Sequence, residues 1–389
     1  MLSSEIKTEV IKEIKNLEKE LGSIADFIHQ NPEPGLEEFQ AVKLLTNKLS
    51  QEGFEVQQPI AGLETAFKAS YQSQHSPYPK IGFLAEYDAL PEGHSCGHNL
   101  IAAMSYGAGV ALKRLLDKFQ GGTIEIYGTP AEETDGAKVT MVEQGIFNHL
   151  DAALICHPGS KNMVLDSSLA MDAIEFKFYG KAAHAAAAPH EGINALDAVI
   201  SLFNNINSLR QQLTTDVRIH GIITEGGSAP NIIPEKGVAR FYVRASERDY
   251  LNQVVSKVIN CASGAAQATG CQYEYDYFEL SFDNMITNKT LADSFQQNLK
   301  ELGAVIHAPG GNFGSTDMGN VSHVTPSIHP FISISSRDIA AHTDAFKEAA
   351  GSKEGKQGML LGAKALAMTG ADLLVQPELI DRIKADFEN

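Results

Sequence analysis

The pattern that most constrains this chain is an interruption. From about Lys80 to Cys156 strands and helices alternate: KIGFLAEYDALP, a small-residue helix after His98, strand Thr123–Gly128, a helix near Gly136–Gln144 and strand Ala152–Cys156. Such alternation predicts an open α/β sheet. After about Leu169 the order becomes strand MDAIEFKFYG, a long helix over Ile193–Leu213, strands VRIHGIITEG and GVARFYVRAS, a helix over Asp249–Thr269 and strand CQYEYDYFEL. That β-α-β-β-α-β run is the split, ferredoxin-like arrangement. From about Asn288 the earlier alternation resumes. The chain therefore reads as α/β with a discontinuous domain, residues 1–168 and 283–389, in which helices flank a mixed sheet. A smaller ferredoxin-like domain, residues 169–282, is inserted into it. A chain of 389 residues is long enough to bury a core in each.

Ahead of the first strands, Ile6, Val10, Ile14, Leu17, Leu21, Ile24 and Ile28 recur at three and four, which predicts an amphipathic helix. A second helix is expected over Leu36–Leu49. The N-terminal stretch mixes charges and lacks an apolar h-region, so it does not read as a signal peptide. No apolar run reaches ~18 residues, so no bilayer-spanning segment is expected. The four cysteines, Cys96, Cys156, Cys261 and Cys271, are scattered and read as free thiols of a cytoplasmic protein. A net charge of −17 without a basic stripe argues against nucleic acid and anionic membranes as partners.

Several reactive residues fall where predicted strands end. Asp88 follows KIGFLAEY, Glu132 and Glu133 follow TIEIYGTPA, and His157 follows AALIC. Cys96 and His98 lie in the loop that opens the next helix. In open α/β sheets, ligands bind beyond the carboxyl ends of the strands. Taken singly, Cys96 is an ordinary small buried residue, His98 a helix-start residue, Glu132–Glu133 a solvated pair, and Asp88 and His157 turn residues. Taken together they suit two divalent metals, which need one shared ligand and terminal ligands on each ion. Cys96 can bridge as thiolate, with His98, Glu133 and His157 terminal. His342 of HTDAF is a fifth candidate. Glu132 is then left free as general base, and Asp88 can fix the tautomer of a ligand histidine. Two other readings stay open. Cys96 can be a nucleophile with His94 or His98 as its base, or the chain can be a non-catalytic ligand-binding protein.

EYDALPEGHSCGHN, GTPAEE, ICHPG and the late HTDAF together resemble the aminoacylase/carboxypeptidase superfamily of dinuclear metallopeptidases. The likeness is strongest to its cysteine-ligand branch of hippurate hydrolases, auxin-conjugate amidohydrolases and aminobenzoyl-glutamate hydrolases, and it covers nearly the whole chain. It implies Cys96, His98, Glu133, His157 and His342 as metal ligands, Glu132 as general base, and two Mn2+ or Zn2+ ions per subunit. Asn99, where many relatives carry aspartate, and GSTDMGNVS, in place of a serine-glutamate-aspartate stretch, resemble the aminobenzoyl-glutamate hydrolase and β-alanyl-dipeptide dipeptidase subgroup. The expected activity is hydrolysis of an amide in an N-acyl amino acid, an aminobenzoyl-glutamate-like conjugate or a dipeptide, by water activated at the two metals.

In the inserted domain, His184 of GKAAHAAAAPHEG, Asn231 of GGSAPNIIPE and Arg244 of FYVRAS read from sequence alone as surface and packing residues. The resemblance gives them other roles. In related dimers the corresponding histidine and asparagine stabilise the oxyanion of the neighbouring site, and the arginine holds the substrate carboxylate. Gly314, Ser315 and Thr316 are expected to line that carboxylate pocket. The implied assembly is a homodimer through the inserted lid domain, or a higher homo-oligomer. His190, His323 and His329 receive no role.

Overall fold

The computed structural model describes residues 3–165, 167–308 and 314–388. The chain forms two compact units: Met1–Ser167 with Met285–Phe313 and Asp317–Asn389, and Ser168–Asn284 with Gly314–Thr316. The strand and helix rhythm of the sequence assigns Gly314–Thr316 to the flanking domain. The structure groups them with the insertion, where the Gly314 carbonyl accepts a hydrogen bond from the Leu169 N–H at 2.8 Å.

The chain opens with α1 (Ser3–Gln30), which buries the seven apolar positions of its repeat. The next helix begins later than its apolar spacing predicts. Leu36 sits at φ +64°, outside helical space, and α2 spans Phe39–Gln51. The Glu33 carboxylate accepts from the N–H groups of Gln40 (2.9 Å) and Ala41 (3.0 Å), which satisfies donors the first helical turn cannot. Then come β1 (Glu55–Gln57), β2 (Phe67–Gln72), β3 (Lys80–Ala85), α3 (His98–Leu115), β4 (Thr123–Gly128), α4 (Ala137–Glu143), β5 (Ala152–Leu154) and β6 (His157–Gly159). The insertion supplies β7 (Ala170–Tyr179), α5 (Ala195–Leu209), β8 (Arg218–Glu225), β9 (Lys236–Ala245), α6 (Arg248–Thr269) and β10 (Gln272–Tyr277). The chain returns with α7 (Lys289–Glu301), α8 (Met318–Ser322), β11 (Ser327–Ile328), β12 (Phe331–Ser333), α9 (Asp344–Gly351), α10 (Lys353–Val375) and α11 (Pro377–Phe387).

In the first unit the main sheet has the order β1-β2-β4-β3-β5-β11. Strands β4, β3, β5 and β11 are parallel, β2 pairs antiparallel with β4, and β1 pairs antiparallel with β2. Spacing alone puts Leu100, Ala103, Met104, Gly107 and Ala111 on one buried face of α3. In fact every residue from His98 to Leu112 is buried, because α1 and α10 pack on α3 as well as the sheet. Its small side chains permit that crowding. One helix, α10, is long and apolar enough to cross a membrane by length and composition, although charged residues interrupt its apolar run. The same apolarity serves a core helix here, for 78% of its most apolar window is buried inside the protein.

The second unit is an antiparallel sheet of order β10-β7-β9-β8 with α5 and α6 on it. Alternate residues of β7 and β9 (Ile174, Phe176, Phe178; Phe241, Val243) face Val199, Leu202, Val254 and Val258 of the helices. Burying each such large side chain is worth about 1.5–3 kcal/mol, so the insertion carries a core of its own.

Candidate metal centre

Parallel β4, β3, β5 and β11 end on one edge of the sheet. From β3 the chain crosses to β4 on one side, and then to β5 on the other side of β3. Such a reversal opens a crevice above the strand ends. Glu86 and Asp88 follow β3, Glu132 and Glu133 follow β4, His157 follows β5 and His329 follows β11. Cys96 and His98 flank Gly97, which sits at φ +79° before α3. A Cβ on Gly97 would lie 2.8 Å from Cγ of Pro158, so glycine is required at this turn.

Two further devices hold the loops. Ala131, at φ +57°, starts the Glu132–Glu133 turn, and its N–H donates to Glu38 Oε1 at 2.8 Å. Glu38 is fully buried and accepts at Oε2 from the Thr65 hydroxyl at 2.8 Å. Burial lifts its carboxyl to about 7, with Asp88 adding to the rise and the Thr65 hydrogen bond opposing it. His342 sits at φ +62° and donates its backbone N–H to the Ser95 carbonyl at 3.0 Å, which brings the late HTDAF segment beside the CGH turn.

Asp88 connects the two loops. Its Oδ1 lies 2.9 Å from His98 Nδ1, and its Oδ2 accepts the Glu133 N–H at 3.0 Å. Burial would raise the Asp88 carboxyl, but His98 and these hydrogen bonds hold it down at about 2. His98 Nε2 then faces Glu86 at 3.5 Å, Glu133 at 3.8 Å and Glu132 at 4.0 Å. That nitrogen is buried and has no hydrogen-bond partner among the described residues. Burial pushes the His98 imidazole down, yet Asp88, Glu86 and Glu133 outweigh it and favour a positive charge there. His157 Nδ1 lies 2.7 Å from the Pro158 carbonyl, which can only accept. The ring hydrogen is therefore assigned to Nδ1, and Nε2 keeps its lone pair.

Donor atoms gather in three overlapping groups, each within 4.8 Å: Cys96, Glu133 and His342; Glu86, His98 and His157; His98, Glu132 and Glu133. Donors about 2.0–2.3 Å from an ion lie a few ångströms from one another, so these groups fit divalent metal. The structure thus brings Asp88, Cys96, His98, Glu132, Glu133, His157 and His342 to one place. Burial, then Glu133, Glu132 and Asp88, push the Cys96 thiol far up, so a thiolate there requires a cation. Burial also raises Glu132 well above the usual carboxyl range, and Glu133, Glu86 and Asp317 add to it. Glu133 is held low: burial opposes, but hydrogen bonds from His342 and Cys96 and the charge of His98 win.

Sequence reasoning missed four neighbours: Glu86, Lys138, Asp317 and His329. Lys138 of α4 is the only buried lysine or arginine among the described residues. Its Nζ lies 2.7 Å from Glu86 Oε1 and 2.6 Å from Asp317 Oδ1. His329 packs against His157 with ring centroids 5.4 Å apart, and burial lowers its imidazole to about 3. A signal for Glu86 was present: it precedes Asp88 by two, and alternate residues of extended chain share a side.

The remaining candidates belong to the second unit. His184 Nδ1 accepts from the N–H groups of Ala186 (3.3 Å) and Ala187 (3.2 Å) and is exposed. The Asn231 carbonyl accepts from the Ala185 N–H at 3.0 Å, so the two segments are neighbours. Arg244 on β9 holds its guanidinium 5.7 Å from the Tyr242 ring centroid, and its buried Nε has no hydrogen-bond partner among the described residues. Ser315 Oγ is likewise buried without one, Thr316 is buried, and Gly314 is exposed.

Two units of this kind, with clustered metal-donor side chains in the larger, define a class of metallohydrolase. A dinuclear-metal-binding peptidase of the M20 family from Bacillus subtilis has this fold. Its TM-score is 0.72 at 19% identity, covering 92% of this chain and 99% of that one. The profile of peptidase family M20/M25/M40 matches residues 82–356, and the chain belongs to that family of hydrolases. It is 38% identical to the Xaa-Arg dipeptidase of Mus musculus, over 98% of this chain and 92% of the relative. It is 34% identical to one of the subunits of the p-aminobenzoyl-glutamate hydrolase of Escherichia coli (strain K12), over 72% of this chain and 62% of the relative.

Proposed function

We propose that this protein hydrolyses the amide bond of a dipeptide or N-acyl amino acid with the help of two divalent metal ions, Mn2+ or Zn2+. The observation that carries this reading is the convergence of Cys96, Glu133 and His342, and of His98 and His157, at one sheet edge with Glu132 beside them. Cys96, Glu133 and His342 would hold one ion, His98 and His157 the other, and Cys96 is the candidate for a ligand shared by both. When bound, the ions act as Lewis acids on the amide carbonyl and lower the pKa of water. Glu132 takes the proton of the attacking water and returns it to the leaving amine. Asp88 keeps the His98 ring in one orientation.

An Xaa-Arg dipeptide and an aminobenzoyl-glutamate share one chemistry, an amide whose nitrogen belongs to an α-amino acid. That supports an amino-acid leaving group here. In the same reading Arg244 binds its carboxylate through a planar fork, with Gly314, Ser315 and Thr316 lining the pocket. His184 and Asn231 offset the charge of the tetrahedral intermediate, in a homodimer formed through the inserted unit. The nucleophilic-cysteine reading is weaker, because a reactive thiol needs a lowered pKa and carboxylates surround Cys96.

Glu132→Gln tests the assignment. Metal content by mass spectrometry stays that of the parent, while kcat falls about 100-fold or more. Turnover within a few-fold of the parent removes Glu132 as the base.

A further inference from the structure

We infer that Glu86 is a ligand of the ion assigned to His98 and His157, aimed by a buried frame of Lys138 and Asp317. The inference rests on the metal reading above and extends its ligand set. Glu86 is fully buried at the end of β3. Its two oxygens have different surroundings. Oε1 is paired with Lys138 Nζ at 2.7 Å. Oε2 lies 3.5 Å from His98 Nε2; neither oxygen has a hydrogen-bond partner among the described residues, so the Lys138 contact of Oε1 is an ion pair. His98 Nε2 also lacks a hydrogen-bond partner among them. Together with a ring nitrogen of His157, these donor atoms lie within 4.8 Å of one another. A buried carboxylate oxygen and two imidazole rings whose donor atoms converge at this spacing, with no hydrogen bond closed between Glu86 and His98, are the ligand types that hold a divalent cation.

The frame explains why Glu86 stays in place. Lys138 Nζ reaches Asp317 Oδ1 at 2.6 Å, and the Lys138 N–H donates to Asp317 Oδ2 at 3.0 Å. Lys138 and Asp317 therefore fix each other at two points and hold Oε1, so Oε2 alone is left to turn toward the histidines. The charges agree. Glu86 and Asp317 bring two negative charges to a place with no exposure, and Lys138 supplies one positive charge. The surplus negative charge faces His98 and His157, where a cation compensates it. With Cys96 shared, the His98–His157 ion has four protein donors, the number that fills a tetrahedral zinc shell.

The experiment titrates metal-free, full-length protein with Co2+ and follows two signals: the thiolate-to-cobalt charge-transfer band and the visible ligand-field bands. Glu86→Gln keeps the size of the side chain and leaves Lys138 paired with Asp317. Glu86→Asp keeps the charge but draws the carboxylate back by one methylene. For both variants the charge-transfer band is expected to be retained, with the second cobalt bound about tenfold or more weakly and its ligand-field bands altered. Two ions bound within threefold of the parent affinities, with parental spectra, would overturn the assignment. So would a lowered melting temperature of the metal-free variants with unchanged cobalt binding, which marks Glu86 as structural. A parent that binds no cobalt overturns both this inference and the metal reading beneath it, so the two failures are distinguishable.

Discussion

Asn99 follows the CGH turn, and its side-chain NH2 donates to the carbonyls of Ala25 and Ala350, each at 3.2 Å. One amide thus joins the start of α3 to α1 and α9. A carboxylate has no hydrogen to give to either carbonyl. The sequence marks Asn99 as a departure from relatives with aspartate, but only the packed helices show what the amide does. Asn99→Asp is expected to cost about 1–3 kcal/mol of stability, the scale for buried polar groups losing partners. Thermal melting of the metal-free protein checks it, and a melting temperature within a degree of the parent would contradict it. Glu86 illustrates the limit of reading at this scale. Its place after a strand is visible in EYDALP, whereas its partners Lys138 and Asp317 come from distant segments. Only the fold makes them neighbours.

At the scale of elements, the site is a set of strand ends and the turns that leave them. Asp88, Glu133 and His157 were legible because strand-end positions follow from apolar runs, and an α/β alternation places those ends on one edge. The backbone conformations at Leu36, Ala131 and His342 were not legible, for all are non-glycine residues at positive φ. Such conformations persist only where neighbours over-determine them. Glu38 does this for the Glu132–Glu133 turn through the Ala131 N–H. Its carboxyl stands near 7 in the folded chain, against about 4.3 for an unperturbed glutamate. Between those values the native state holds the proton and the unfolded state does not. This group's contribution therefore lowers stability as pH rises from about 4.3 to 7. Glu38→Gln keeps an oxygen acceptor for Ala131 and removes the titration. Its stability relative to the parent should rise across that window, by up to about 3 kcal/mol, with kcat little changed. Denaturation at pH 5 and pH 7.5 measures this, and an equal difference at both pH values would contradict it.

At the scale of the whole molecule, the chain is two units with separate cores, one carrying the clustered donors and one inserted as a ferredoxin-like sheet. The interruption of one alternation by another made this division visible in the sequence, since each unit has its own rhythm of strands and helices. The role of α10 was less visible. An apolar helix of that length suits a membrane or a crowded core equally, and its packing on α1 and α3 distinguishes them. The central claim is metal-dependent amide hydrolysis. Its most direct test strips the protein of metal, adds back Mn2+ or Zn2+, and follows by mass spectrometry a panel of N-acyl amino acids, aminobenzoyl-glutamate, and β-alanyl and Xaa-Arg dipeptides. The expected result is no cleavage by the stripped protein and cleavage of at least one panel member once metal returns; cleavage that proceeds equally without metal would contradict the claim.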